Sequence, residues 1–205
     1  CVVIDEQPAI KFVEQNTGIR ILDEEFTLEE YAFVIAKDNT ELLDKVNSVL
    51  EKLEADGTIA NIQKNYIGTA DEIGKFPYES KNVSHENGTL TDGTKAEYPP
   101  YESYEDGQIV GIDMDIMRAV SDELGMELKI EDMAFDSIIP AISTGKVDIG
   151  AAGFTVTEER KKNVNFTDTY TTSMQVIIVK DDTVTSEKAG LSEKFYDNFV
   201  KDSRY

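Results

Sequence analysis

Residues Asp148–Arg160 read Asp-Ile-Gly-Ala-Ala-Gly-Phe-Thr-Val-Thr-Glu-Glu-Arg and contain the most informative change of pattern in the chain. A short apolar run, Val147 and Ile149, gives way to small residues from Gly150 to Gly153, where a backbone can approach a ligand closely. Thr157 is suited to cap a helix whose first turn holds two glutamates. The stretch therefore predicts a strand, a tight turn and a helix N-terminus, an arrangement that commonly binds anions.

Arg160 is unexpected at this place, because a cation in the first turn of a helix opposes the helix dipole. A bound carboxylate held by both arms of the guanidinium would account for it. The alternative is that Arg160 begins a solvated basic run with Lys161 and Lys162. The spacing leaves both interpretations open.

Composition narrows the class of protein. The 205 residues suit one domain, or one domain plus a fragment of another, and an apolar fraction of 40% is enough for a core. The net charge of −21 argues against binding to nucleic acid and to anionic membrane surfaces. Since Cys1 and His85 are the only residues of their kinds, we expect no thiolate metal cluster, no cofactor and no histidine-based catalysis.

Strand and helix patterns alternate along most of the chain. Strands are predicted at 1–4, 31–36, 89–94, 126–130, 147–151 and 171–180, and a short hairpin arm at 109–110. Helices are predicted at about 8–16, 40–56, 59–67, 112–124 and 136–144, from 157, and at 186–205. Such alternation is typical of an α/β fold, with a parallel sheet covered by helices on both faces.

Several segments resemble the extracytoplasmic solute-binding proteins of polar amino-acid ABC transporters, bacterial solute-binding family 3. Gly-Thr-Lys-Ala-Glu-Tyr-Pro-Pro-Tyr-Glu at 93–102 is similar to the opening strand and aromatic loop of that family, and 111–124 is similar to its signature helix. The motifs at 135–141 and 153–160 also match, and 1–68 resembles the C-terminal end of the family. The resemblance implies a type II periplasmic-binding-protein-like lobe with an open, mostly parallel sheet.

The order of these segments differs from the order in the family, where the part like 88–180 comes first. Two explanations are open. The chain is a circularly permuted lobe, or it is a segment of a tandem array that contains the end of one binding domain and the start of the next. The end of the chain resembles the start of an amino-acid permease, which favours a binding-protein–permease fusion as parent. The resemblance divides the chain into a remnant of the second lobe (1–22), the return strand and terminal helices of the first lobe (23–68), a linker (69–87), the main part of the first lobe (88–183) and an amphipathic helix (184–205).

The resemblance also implies a ligand site. Arg160 is expected to grip the α-carboxylate of an amino acid with help from the hydroxyl and N–H of Thr155, while the carbonyl of Gly153 accepts from the α-ammonium. Phe154 belongs to the same binding set.

Side-chain recognition is expected from other residues. Tyr98 and Phe135 would sandwich the ligand side chain. Asp5 matches an aspartate that holds the α-ammonium from the second lobe. Lys95, if it faces the cleft, would favour an acidic or carbonyl-bearing ligand.

The predicted function is that of the binding component of an ABC uptake transporter, which captures a polar amino acid in a cleft between two lobes and delivers it to the permease. The expected partners are an amino-acid ligand and the transporter permease, with neither metal nor nucleic acid. The protein is expected outside the cytoplasm, in the periplasm or at the outer membrane face, and membrane-associated through the transporter. One alternative is an interaction module that forms a homodimer by exchanging 1–5 or 187–204. The other is an enzyme of the dehydratase type, for which Glu97 is the only nearby carboxylate considered.

Overall fold

The computed structural model describes residues 1–22, 27–81 and 83–181. Within these ranges the strands are β1 (Val2–Asp5), β2 (Ile19–Ile21), β3 (Thr27–Tyr31), β4 (Val34–Ala36), β5 (Thr89–Thr94), β6 (Glu97–Tyr98), β7 (Glu102–Glu105), β8 (Gln108–Val110), β9 (Glu127–Asp132), β10 (Ile149–Gly150), β11 (Val164–Phe166) and β12 (Thr171–Lys180). The helices are α1 (Glu6–Gln15), α2 (Thr40–Ala55), α3 (Thr58–Ile67), α4 (Ile112–Leu124) and α5 (Phe135–Ser143). The predicted helix at 184–205 lies outside the described residues.

The longest helices begin and end where their sequences indicate. The side chain of Asn39 caps α2 by accepting a hydrogen bond from the N–H of Leu42 at 3.2 Å. Gly125 ends α4 in the left-handed region, with φ of 65°. The helices predicted at 40–56 and 112–124 are confirmed. Among the described residues, no helix has the length and apolar character that crossing a bilayer requires.

The described residues form two compact units. The small unit comprises the described residues of Cys1–Glu30 and of Thr172–Tyr205, and the large unit comprises those of Tyr31–Thr171. These boundaries differ from the predicted ones at 22/23 and 183/184. The difference arises because β12, which was assigned to the main part of the first lobe, forms its hydrogen bonds with strands of the small unit.

Strand β12 is the centre of the small unit. It pairs antiparallel with β1 on one side, where Val2 lies opposite Ile178, and with β2 on the other. Strand β3 also pairs with β12. Helix α1 follows β1 directly and buries Pro8, Ala9 and Phe12. The strand of the exchange hypothesis, 1–5, therefore has its pairing partner within the same chain.

The large unit contains a five-stranded sheet in the order β11-β4-β10-β5-β9. Strands β9 and β10 run parallel to β5, whereas β4 is antiparallel to β10 and β11 is antiparallel to β4. A separate sheet, β6-β7-β8, contains the hairpin predicted at 109–110. The α/β fold class is confirmed, and the parallel part of the main sheet consists of β9, β5 and β10.

Strand β4 lies between two packed layers. Val34 belongs to the apolar cluster that α5 forms with this sheet. Phe33 and Ile35, its neighbours in sequence, point to the opposite face because side chains alternate along a strand. All three side chains are fully buried, so both faces of the sheet are covered, as predicted.

The linker predicted at 69–87 is docked on α4. The hydroxyl of Tyr78 and the N–H of Lys81 both donate to Oδ2 of Asp122, at 2.8 and 2.7 Å. Near its end, the Asn87 side chain donates to the carbonyl of Leu124 at 2.7 Å. The linker thus joins α3 to β5 along the C-terminal end of α4.

The prediction of a helix from Thr157 is wrong. Residues Arg160–Lys162 form a single 3₁₀ turn, and β11 begins two residues later. The pairing of β11 with β4 leaves no room for further helical turns. A turn this short has no appreciable dipole, so the helix-dipole contribution to anion binding that the sequence predicts is absent here.

Candidate functional site

Arg160 lies at the start of this 3₁₀ turn and is held by the residues before it. Its N–H donates to the hydroxyl of Thr157 at 3.2 Å, and its Nη1 donates to the carbonyl of Thr155 at 3.1 Å. The guanidinium carbon is 5.3 Å from the ring centre of Phe135 and 5.5 Å from that of Phe154. These contacts hold a half-buried guanidinium in a defined orientation, and a planar guanidinium can bind a carboxylate through two parallel hydrogen bonds.

Phe135 and Phe154 form the platform under Arg160. Their ring centres are 4.7 Å apart with an angle of 28° between the planes. Phe135 is the first residue of α5, and Phe154 follows the small residues after β10. Both rings are almost fully buried within the α5 cluster. Packing therefore fixes the platform, and cation–π attraction fixes the guanidinium on it.

Gly153 must be a glycine for two reasons. Its φ of 56° lies in the left-handed region, and a Cβ would come 3.0 Å from Cε1 of Tyr98. Its N–H donates to Oδ2 of Asp113, at 2.9 Å. The ring of Tyr98 thus packs directly on the backbone that leads to Phe154 and Thr155.

Tyr98 belongs to a tyrosine cluster that the sequence did not reveal. Its hydroxyl lies 3.2 Å from that of Tyr31, and its ring stacks on Tyr101 with centres 5.7 Å apart. The rings of Tyr31 and Tyr101 meet edge to face at 5.1 Å. Of the two predicted sandwich residues, Tyr98 thus stacks on Tyr101, and Phe135 stacks on Phe154.

Two further predicted residues, Lys95 and Asp5, are held by contacts of their own or belong to the other unit. Lys95 is partly exposed and forms an ion pair with Glu97, with Nζ 2.8 Å from Oε2. Asp5 is buried at the end of β1 in the small unit, whereas the other predicted ligand residues belong to the large unit. The described residues contain no group of three or more His, Cys, Asp or Glu side chains placed to hold a metal ion.

Two buried carboxyl groups beside Gly153 were missed by sequence reasoning. Asp92, on β5, and Asp113, on α4, are both fully buried. Oδ1 of Asp92 accepts from the N–H of Ala151 at 2.9 Å. Burial and the neighbouring Asp113 raise the pKa of Asp92 well above its ordinary value. The protonated form of Asp92 is therefore favoured to higher pH than in an exposed aspartate, and only its partners in the fold could have revealed this.

Replacing Asp92 with asparagine should stabilise the protein increasingly as pH rises. Because the folded pKa is raised, the unfolded chain ionises at lower pH than the folded one, and stability falls as pH rises through this interval. The asparagine side chain would stay neutral in both states and keep the acceptor for Ala151. In urea titrations over a pH series, the difference in unfolding free energy between variant and wild type should grow by up to about 1.4 kcal/mol per pH unit. A difference that is constant with pH would contradict the raised pKa of Asp92.

The family model for bacterial extracellular solute-binding proteins, family 3, matches residues 2–69 and 90–201. The arginine-binding extracellular protein ArtP of Bacillus subtilis (strain 168) is 40% identical over 105 residues, covering 50% of this chain and 41% of ArtP. The arginine-binding protein ArgT of Corynebacterium glutamicum is 42% identical over 84 residues, covering 40% of this chain and 28% of ArgT.

Among solved structures, an ancestral arginine-binding protein bound to glutamine is 46% identical, with a TM-score of 0.39, and covers 41% of this chain and 38% of that one. The chain thus spans less than half the length of each of these relatives. The family resemblance drawn from its motifs is confirmed. Because the family model matches most of its residues, the chain belongs to the bacterial extracellular solute-binding proteins of family 3.

Proposed function

We propose that this chain binds an amino acid outside the cytoplasm for an ABC uptake transporter, and that Arg160 holds the α-carboxylate of the ligand. The observation that carries the proposal is the fixed guanidinium, anchored on the Thr155 carbonyl and seated over Phe135 and Phe154. A fork held in place before the ligand arrives loses less conformational entropy on binding. Bidentate carboxylate recognition also needs the planar geometry that arginine has and lysine lacks.

The segment before Arg160 supports the same role. Gly153 donates its N–H to Asp113, and its carbonyl accepts from the ligand ammonium, which can only donate. Thr155, between Gly153 and Arg160, supplies a hydroxyl and an N–H to the carboxylate. Asp5 of the small unit remains a predicted contact of the ammonium.

We assign the ligand to the cationic amino acids, with arginine first. ArtP and ArgT are named as arginine-binding proteins. A net charge of −21 attracts a cationic ligand and raises its local concentration. Lys95, which suggested an acidic ligand, is paired with Glu97, and this pair reduces its influence on a ligand side chain.

The proposed role is binding and delivery to a permease, without catalysis. Glu97 is exposed and paired with Lys95, a poor setting for a general acid or base. Membrane association is then indirect, through the transporter.

The linker at 69–87 falls between the two segments that the family model matches, and it is docked on α4. Its docking supports a native permuted order over a junction in a tandem array.

Thermal unfolding of the whole chain with added amino acids tests this function. L-Arginine should raise the melting temperature, because a ligand that binds only the folded state stabilises it by about 2.7 kcal/mol at a concentration of ~100 times its Kd. Agmatine, which is arginine without the carboxylate, is the matched control and should give no shift. D-Arginine tests stereochemical recognition in the same assay.

The outcomes separate the parts of the proposal. A shift with glutamate but not arginine would overturn the cationic assignment and restore the prediction made from Lys95. An equal shift with agmatine would overturn carboxylate recognition. No shift with any amino acid would overturn the binding function.

A further inference from the structure

The backbone from Ala151 to Gly153 is held from two sides by carboxyl groups of different elements. Asp92 on β5 accepts from the N–H of Ala151, and Asp113 on α4 accepts from the N–H of Gly153, each at 2.9 Å. Both carboxyl groups are buried. Two anchors, two residues apart, define the path of the chain immediately before Phe154, Thr155 and Arg160.

Tyr170 fixes the second oxygen of Asp113. Its hydroxyl donates to Oδ1 of Asp113 at 2.6 Å, and its ring stacks on Phe33 with centres 4.4 Å apart and an angle of 13°. Burial, together with the Asp113 carboxylate, raises the pKa of Tyr170 well above its ordinary value. The hydroxyl therefore keeps its proton and acts as a permanent donor.

The position of Gly153 affects the guanidinium of Arg160 through only two intervening residues of backbone. Two residues after Gly153, the carbonyl of Thr155 accepts the hydrogen bond from Nη1 of Arg160. The carbonyl of Phe154 accepts from the N–H of Ala32 at 3.2 Å, which leaves the intervening backbone little freedom. A shift of Gly153 would move the anchor of Arg160.

We propose that Tyr170 and Asp113 are positioning residues for the amino-acid site: Tyr170 orients the Asp113 carboxylate, which sets the Gly153 backbone and, through Thr155, the direction of Arg160. This inference rests on the proposed function. In this proposal both residues act through Gly153 and Thr155, and not by direct contact with the ligand. Their contribution is to the pre-orientation of the fork, so their loss weakens affinity without abolishing it.

The test is Tyr170→Phe in the whole chain, which removes the hydroxyl and keeps the ring that stacks on Phe33. We expect the amide proton resonance of Gly153 to move and its hydrogen exchange to accelerate, because its acceptor is less firmly oriented. We also expect the Kd for the amino acid to rise by about threefold to tenfold. NMR of the labelled protein and calorimetric titration measure the two effects.

Tyr78→Phe is the matched control. Tyr78 also donates its hydroxyl to an aspartate of α4, Asp122, at 2.8 Å, but at the other end of the helix. It should change neither the Gly153 resonance nor the affinity. The positioning role is overturned if Tyr170→Phe leaves the Gly153 amide unchanged, if it leaves the Kd unchanged, or if Tyr78→Phe has the same effects. If the wild-type chain binds no amino acid, the proposed function itself fails.

Discussion

Gly111→Ala is expected to lower the free energy of unfolding by on the order of 4 kcal/mol. Gly111 precedes α4 with φ of 138°, a conformation that side chains rarely adopt. A Cβ built there would lie 2.1 Å from the carbonyl oxygen of Tyr101 and 2.4 Å from its carbonyl carbon. These are backbone atoms, so no side-chain rotation can relieve the clash.

The clash would also break the attachment of α4. The N–H groups of Ile112 and Asp113 donate to the carbonyls of Pro100 and Tyr101, at 3.0 and 3.1 Å. Moving the 100–101 loop away loses these bonds and displaces Asp113. Urea denaturation followed by circular dichroism measures the loss.

Gly107→Ala is the control for backbone strain alone. Gly107 has φ of 80°, but a Cβ added there would meet no atom within 4 Å, so alanine should cost only about 1–2 kcal/mol. Similar losses of unfolding free energy in both variants would show that the contact between the added Cβ and the Tyr101 carbonyl does not destabilise the protein.

Arg160→Ala is expected to raise the Kd for L-arginine by on the order of a hundredfold, while leaving the protein folded. The variant loses a bidentate, charge-assisted contact, and hydrogen bonds to charged groups contribute about 1.5–3 kcal/mol each. Because Arg160 is half-buried, its removal leaves no large cavity in the core. Arg160→Lys should fall between wild type and Arg160→Ala, since it keeps the charge and loses the fork.

Lys161→Ala is the matched control for charge. Lys161 lies in the same 3₁₀ turn and forms an exposed ion pair with Glu158, with Nζ 2.8 Å from Oε1. It removes one positive charge, as Arg160→Ala does, and should leave the Kd near the wild-type value. Equal losses of affinity in the two variants would favour the interpretation of Arg160 as the start of a solvated basic run. Isothermal titration calorimetry distinguishes these outcomes.

Local patterns predict those elements whose apolar spacing and end signals lie within the element's own sequence. In α4, apolar residues recur at helical spacing and a glycine follows the last turn, so its bounds could be located within a residue. At Arg160 the sequence predicts a longer helix than the 3₁₀ turn found, because the hydroxyl of Thr157 does accept from the N–H of Arg160 as a helix cap would. What limits that turn is the pairing of β11 with β4, far away in sequence.

Long-range partners were beyond the reach of sequence patterns. Strand β12 was recognised as a strand, but its neighbours β1 and β2 lie at the other end of the chain. In the candidate site, Arg160 stands out in the sequence because a cation is unfavourable in the first turn of a predicted helix. Asp92 and Tyr170 carried no such local conflict, because their roles depend on contacts made only after folding.

The position of β4 in the main sheet also has a consequence for synthesis of the protein. Its strand neighbours, β10 and β11, follow it by more than a hundred residues. At about 5–20 residues per second, a ribosome needs on the order of 5 to 25 s to extend the chain from Ala36 to Ile149. Throughout that time the nascent segment Tyr-Ala-Phe-Val-Ile at 31–35 lacks both of these partner strands and is prone to aggregation. The charged residues on both sides, Glu29-Glu30 and Lys37-Asp38, are placed to oppose such association while the rest of the sheet is made.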